Sequence, residues 1–205
     1  MIDNINLHFS LESLSSITND NYPVELWSAA VIILMVEDSL VFIKRSDTMP
    51  SHPGQISFVG GHKLLSEIDP VDTAKRELFE ETSIPADNFD FFGMIHPVKT
   101  ARNKLIIPVA AKYKHSKKQF LDEVTSNGEW NNLVLAPVSL VKNIALWQRA
   151  EILNSSHEKI TDIFYFPLLA NKCFYLNEAQ TYVLWGASAK MVLNFFQNQI
   201  VDDKD

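Results

Sequence analysis

The sequence predicts an α/β (α+β) fold, a mixed sandwich of strands and helices, and three observations predict it. Strand-like apolar runs outnumber helical ones and do not alternate strictly with them, which argues against a doubly wound sheet. One helix is signposted at its start, by Asp69-Pro70. Three of the six glycines, Gly54, Gly60 and Gly61, fall within eight positions. Glycine is required where φ is positive or where backbone must approach something closely, so this stretch reads as a shaped loop.

The elements follow in order. Residues 1–24 are polar with scattered apolar positions, and Leu7, Leu11 and Leu14 have the spacing of a short helical face. They are expected to form an extension to the domain. Ala29–Val36 and Leu40–Lys44 read as two strands joined by the polar turn Glu37-Asp38-Ser39. Residues 45–62 read as an irregular loop. Asp69 suits the N-cap and Pro70 the first helical position, where a missing N–H costs nothing. The helix is expected to run to about Thr82, with Val71, Ala74 and Leu78 as its buried stripe and Pro85 limiting its extension. Strands are expected at Phe89–Ile95, Lys104–Tyr113, Leu133–Ala136 and Ile163–Phe166. Lys114–Asn132 reads as a polar insertion or flexible loop, Trp147–Leu153 as a short helix and Ala179–Gln197 as a final helix whose Trp185 and phenylalanines belong to the core. Close packing is the expected reason for Gly186 within that helix. Residues 201–205 are expected to fray, leaving 25–200 as the domain.

Composition removes several functional classes. Of 205 residues, 18 are Lys or Arg and 25 Asp or Glu, a formal net charge of −7. A general nucleic-acid binder would need a basic footprint. A small phosphorylated substrate remains compatible, since a metal ion can supply positive charge. The single cysteine, Cys173, excludes an internal disulfide or zinc ribbon and reads as a small core residue. The longest apolar run, Leu26 to Val36, is far below the ~20 residues that span a bilayer. No Lys or Arg precedes Lys44, whereas a secretory signal starts basic, so a cytoplasmic location is expected.

Chemistry concentrates in Arg76-Glu77-Leu78-Phe79-Glu80-Glu81. On a helix, Glu77 neighbours both Glu80 and Glu81, and such like-charge pairs cost a few tenths of a kcal/mol each, roughly. A hard divalent cation reverses that sign, because Mg²⁺ takes carboxylate oxygens and substrate phosphates. Arg76 is placed four residues before Glu80 to hold its carboxylate. Upstream, Gly61 is followed after five residues by Glu67, and Glu67 after eight by Arg76.

This arrangement resembles the Nudix box, G-x5-E-x7-R-E-U-x-E-E-x-G-U with U apolar. Gly61, Glu67, Arg76, Glu77, Leu78, Glu80, Glu81 and Ile84 match. One extra residue lies between Glu67 and Arg76, and Ser83 replaces the glycine, which is expected to make the helix exit less sharp. The segment 41–61 is similar to the coenzyme A pyrophosphatase branch in Arg45, Ser46, Gly54, Phe58, Gly60 and Gly61, while Pro50 replaces that branch's second arginine and Val59 its proline. Glu129 before Pro137-Val138, and Leu184-Trp185-Gly186-Ala187-Ser188-Ala189, resemble further segments of the branch.

The resemblance implies a Nudix-like α/β/α sandwich with a mixed sheet and a Mg²⁺- or Mn²⁺-dependent pyrophosphohydrolase. It places the metal on Glu77, Glu80, Glu81 and the Gly61 carbonyl. Arg76 would orient the carboxylates, and Glu77 or Glu129 would be the base. Arg45, Ser46, His52, Gln55 and Phe58 are the candidate substrate contacts, although Phe58 reads more as a core residue than as a stacking platform. The implied substrate is coenzyme A or an acyl-CoA, cleaved to 3′,5′-ADP and (acyl-)4′-phosphopantetheine. Two alternatives stand beside it: another nucleoside diphosphate derivative as substrate, and a Nudix-fold module that binds a nucleotide without hydrolysing it. A homodimer is compatible with either. No GK[ST] loop and no G-x-S-x-G elbow occurs.

Overall fold

The computed structural model describes residues 26–100, 105–153 and 159–197. The expected N-terminal helical face and C-terminal tail lie outside these residues. The chain begins with β1 (Trp27–Val36) and β2 (Ser39–Arg45), joined through Glu37 at φ 51. These two strands pair only at Met35↔Leu40 and Val36↔Ser39, then diverge. Two short strands, β3 (Ile56–Ser57) and β4 (Val59–His62), fill the divergence, β3 on β2 and β4 on β1. Residues 45–62 are therefore not wholly irregular, because the strands on either side offer free backbone edges that the loop completes.

Helix α1 (Pro70–Thr82) starts as expected, with the Asp69 carboxylate accepting the Val71 N–H at 2.8 Å. Ala74 and Leu78 are fully buried and Val71 half-buried. A 3₁₀ turn at Ala86–Asn88 leads to β5 (Phe89–Met94), β6 (Val98–Lys99) and β7 (Leu105–Tyr113). Lys114–Asn132 is more ordered than expected. Ser116 caps a second helix, α2 (Lys117–Glu123), and Phe120 anchors it in the core. Then come β8 (Trp130–Pro137), the short α3 (Val138–Val141), β9 (Gln148–Leu153), β10 (Lys159–Leu168), β11 (Phe174–Tyr175), β12 (Tyr182–Leu184) and α4 (Gly186–Gln197).

Two expected helices are corrected. Trp147–Leu153 is strand β9, because β10 is available to pair with it from Tyr165↔Gln148 onward. The final helix is shorter than Ala179–Gln197. Tyr182–Leu184 pairs with β10, and Gly186, at φ 64, turns the chain from strand to helix. A Cβ on Gly186 would meet nothing within 4 Å, so backbone conformation rather than close packing is the reason for glycine there. Trp185 lies at that turn and is exposed rather than in the core.

The main sheet runs β11-β8-β2-β1-β7-β5, with β3, β4 and β6 on its flanks. It is mixed: β1 and β7 are parallel and the other pairs antiparallel. Alternate residues face opposite sides. Ile32, Leu34, Val41 and Ile43 pack with Ala74 and Leu78 of α1 and Phe120 of α2. Ile33, Met35, Leu40 and Phe42 pack with Ala189, Met191, Val192 and Phe195 of α4 and with Phe166 and Leu168 of the smaller β12-β10-β9 sheet. This is the expected sandwich, with a second sheet sharing the α4 layer. Cys173 is half-buried against that core, and burial pushes its thiol up to about 11.

Candidate active site

The site is built where α1 crosses β4. Arg76 is its hub. Its Nε donates to Glu67 Oε1 at 2.7 Å and its Nη2 to Glu67 Oε2 at 3.3 Å, while Nη2 also reaches the His62 carbonyl at 2.9 Å. Nη1 donates to Glu77 at 2.8 Å and to Glu80 at 2.9 Å. Glu67 further accepts from the Thr73 hydroxyl and the Leu64 N–H. These donors, Arg76 foremost, hold its carboxyl down at about 2. One guanidinium thus ties the loop before α1 to three carboxylates, in the forked geometry that distinguishes arginine from lysine.

Glu81 is set differently. It is 1% exposed, and its Oε2 accepts the Gly60 N–H at 2.8 Å. Burial pushes its carboxyl up to about 8, the Gly60 bond offsetting this and the charges of Glu77 and Glu129 adding to it. Burial also raises Glu77, against the pull of Arg76. The two glycines make this approach possible for separate reasons. Gly60 has φ 139, and a Cβ there would sit 2.4 Å from the Ala30 carbonyl. A Cβ on Gly61 would sit 2.5 Å from Glu77 Oε1, in space the carboxylate already occupies.

Ser83 corrects the expected helix exit. It adopts φ 61, and its N–H donates to the Phe79 carbonyl at 2.8 Å, so the exit is as sharp as a glycine would make it.

Trp130 was not singled out by the sequence, yet it borders the site. Its Nε1 donates to the Glu81 carbonyl at 2.7 Å. The β2–β8 register runs Lys44↔Asn132 and then Arg45↔Trp130, which makes Asn131 the extra residue of a β-bulge. The bulge turns Trp130 to the α1 face; unbroken alternation would have sent it to the other. It also fixes Glu129, whose carbonyl accepts the Ser46 N–H at 2.7 Å and whose charge reaches Glu77 and Glu81. Arg45 lies on the same side, its charge acting on Glu81 and its Nε donating to the Ser51 carbonyl at 3.3 Å. Ser57 is a further residue here. Its buried hydroxyl has no hydrogen-bond partner among the described residues, and its pairing with Ile43 puts it on the Arg45 face.

Of the other candidates, Ser46 and Gln55 flank Arg45, with the Gln55 carbonyl accepting the Arg45 N–H at 2.9 Å. His52 is exposed on the loop at φ 54. Phe58 is corrected: it is 2% exposed and packs on Phe42 with ring centroids 4.9 Å apart, so it offers no surface to a substrate.

Among the described residues, no three acidic, histidine or cysteine side chains are already gathered around one point. Arg76 draws Glu77 and Glu80 one way, and Gly60 draws Glu81 another. The donor set still fits a hard divalent cation. It is made of carboxylate oxygens, those of the buried Glu81 and the half-buried Glu77 on groups that burial makes harder to ionise, beside a glycine that leaves room for Glu77.

The chain is 33% identical over 84 residues to the uncharacterized Nudix hydrolase NudL of Enterobacter sp. (strain 638), covering 40% of this chain and 44% of that protein. It is likewise 33% identical over 84 residues to NudL of Yersinia enterocolitica (serotype O:8 / biotype 1B), covering 40% and 43%. The match thus spans less than half the length of these curated relatives. Among solved structures, the MutT protein of Methanosarcina mazei Go1 aligns over 86% of this chain and 94% of its own, at 15% identity and a TM-score of 0.47. The NUDIX domain profile matches residues 26–160, well over half of the chain, and the protein therefore belongs to the Nudix family.

Proposed function

We propose that the protein hydrolyses a diphosphate linkage in a small phosphorylated substrate, using Mg²⁺ or Mn²⁺. The observation that carries this reading is the pair of buried Glu81 and half-buried Glu77 at the glycine turn, two carboxylates whose ionisation the fold opposes and a cation would favour. Glu77, Glu80, Glu81 and the Gly61 carbonyl are the residues that would hold the metal. The metal would supply charge neutralisation at the phosphate oxygens and a more acidic water. Arg76 positions the carboxylates. Glu77 or Glu129 takes the proton from water as its oxygen bonds to one phosphorus and the bridging P–O bond breaks. Arg45, Ser46, His52 and Gln55 are the substrate contacts.

Coenzyme A or an acyl-CoA is the substrate we favour, giving 3′,5′-ADP and (acyl-)4′-phosphopantetheine. The run Arg45-Ser46 to Gly60-Gly61 supports it. Pro50, in place of an arginine, favours the second reading, a pyrophosphatase for a sugar nucleotide, ADP-ribose, a dinucleotide or a nucleoside triphosphate. A nucleotide-binding module without turnover is the third. We place the activity in the cytoplasm, without general nucleic-acid binding and compatible with a homodimer; no described helix is long and apolar enough to cross a membrane.

The test is incubation with coenzyme A, ADP-ribose, a sugar nucleotide and a nucleoside triphosphate, each with Mg²⁺ or Mn²⁺, read by mass spectrometry. Release of 3′,5′-ADP and phosphopantetheine that is lost in Glu81→Gln supports the coenzyme A reading. Turnover of another substrate alone removes it, and turnover of none leaves the binding module.

A further inference from the structure

The bulge at Asn131 has a second side. Lys44 and Asn132, paired in register, face away from α1, and with Asp47, Asn131, Asn177, Glu178, Gln180 and Tyr182 they line a cavity of about 320 Å³. We propose that this cavity is the subsite for a neutral nucleoside, as in a sugar nucleotide, ADP-ribose or a dinucleotide; the proposal rests on the hydrolase reading above and selects its second substrate class, because the nucleoside of coenzyme A carries a 3′-phosphate.

The floor is fixed. Asn132 is 2% exposed, and all its bonds are made: Oδ1 accepts the Leu133 and Asn177 N–H groups, and Nδ2 donates to the Glu178 carbonyl at 2.7 Å and to Tyr182 Oη at 3.2 Å. The wall remains available. Tyr182 Oη also accepts from Gln180 Nε2 at 2.6 Å, so it receives two donors and its own hydrogen has no acceptor among the described residues. The carbonyl oxygens of the Gln180 and Asn177 side chains likewise accept from no described residue. The cavity therefore presents one hydroxyl donor and two amide acceptors, a match for base edges and ribose hydroxyls.

Charge decides against an anion. The lining carries Lys44 against Asp47 and Glu178, and the Lys44 ammonium is already bonded to Asp47 at 2.6 Å. A phosphate would meet excess negative charge with no uncommitted cation. The volume lies at the low end of ligand pockets, roughly 300–1,000 Å³, which suits one nucleoside rather than a long chain.

Position links the cavity to the acidic cluster. Lys44 and Arg45 are consecutive at the end of β2, as Trp130 and Asn131 are at the start of β8. Across these strand ends lie Arg45, Glu129 and Glu81 on one face and the cavity on the other. The rim between them is Asp47 and Asn131, bonded at 3.4 Å. A substrate with its diphosphate at Glu77 and Glu81 can pass round this rim and place its nucleoside in the cavity.

The test uses the full chain without metal, so that it reads binding and not turnover. Adenosine is titrated by calorimetry and by ligand-observed NMR, with inorganic phosphate as the anionic probe. Adenosine is expected to bind, and Gln180→Ala, at unchanged melting temperature, and Tyr182→Phe are each expected to weaken it at least fivefold. Lys118→Ala, remote and exposed, leaves it unchanged. Gln180 is exposed, so its truncation does not threaten folding if Tyr182→Phe does. Adenosine binding that is absent, or insensitive to Gln180→Ala, overturns the assignment. Phosphate binding that Gln180→Ala or Tyr182→Phe weakens overturns the neutral-ligand assignment. The hydrolase reading fails separately, if no substrate in the panel is cleaved.

Discussion

The approach to α1 and the second half of α1 both carry glutamates, and the fold treats them in opposite ways. Glu67 lies among donors from Arg76, Thr73 and Leu64, and its carboxyl stands near 2. Glu81, fourteen residues further along the same polypeptide, is buried with one backbone donor, and its carboxyl stands near 8. The first half is a structural clasp whose charges are satisfied within the protein. The second holds charge that the protein alone leaves under-compensated, which is the condition a bound cation relieves. Arg76 joins the two, because the guanidinium that completes the clasp also aims Glu77 and Glu80.

The largest expected effect comes from the second half. Glu81→Gln keeps the shape and an oxygen for the Gly60 N–H but removes the charge. Charge stabilisation by a metal contributes several kcal/mol, so hydrolysis should fall about a thousandfold or more. Stability without metal should not fall, because a buried carboxyl that the fold resists ionising is replaced by a neutral amide of the same shape. Steady-state kinetics beside thermal melting checks both. A large loss of melting temperature would place Glu81 with the clasp and break the comparison.

The adjacent glycines separate the same two roles. Gly60→Ala forces a side chain into φ 139 and against the Ala30 carbonyl, which should cost about 3 kcal/mol or more in urea unfolding. Gly61→Ala meets no positive-φ penalty, and the three atoms nearest its added Cβ all belong to the Glu77 carboxylate. It should leave most stability in place while displacing Glu77, with metal dependence shifted to higher concentration. Equal destabilisation by both would mean that Glu77 cannot move and that the cradle is structural.

Glu67→Gln addresses the clasp. Hydrogen bonds to charged groups contribute about 1.5–3 kcal/mol each before relaxation, so a loss of roughly 2 kcal/mol in urea unfolding is expected at pH 7. The pH dependence has a definite sign. The folded carboxyl is lowered from 4.5 to about 2, so its stabilisation is complete above pH 4.5 and is lost as pH falls from there through 2. The wild-type chain should therefore lose stability across that window and Glu67→Gln should lose less. Parallel acid limbs for the two proteins would remove Glu67 from the clasp.

The acidic face of α1 was legible in the sequence because its signals are local, whereas the closure of Glu67 onto Arg76 and Thr73 was not. Asp69-Pro70 sets the helix start, and the 3–4 residue spacing brings Arg76, Glu77, Glu80 and Glu81 together without help from the rest of the chain. What was illegible depended on partners or on breaks in period. Trp147–Leu153 carries no sign that β10 will pair with it. Gly186 looks like a helical residue until its φ of 64 shows the turn. Trp130 was missed because the bulge at Asn131 reverses the side it faces, and a bulge is decided by the strand opposite.

Ser83→Gly should have the smallest effect, and it probes the end of α1 rather than its charges. Ser83 holds the left-handed conformation that the family pattern gives to glycine. A non-glycine residue there costs about 1–2 kcal/mol, while glycine enlarges the unfolded ensemble by about 0.4–1 kcal/mol. The balance favours glycine by about 0.5–1 kcal/mol, or roughly 1–4 °C in melting temperature for a chain of this size. Catalysis should not change, since Ser83 is exposed and its backbone bond to Phe79 is retained. A fall in activity at raised stability would show that strain at the helix exit helps to place Glu81, two residues earlier, and would move Ser83 from the structural half of the segment to the chemical one.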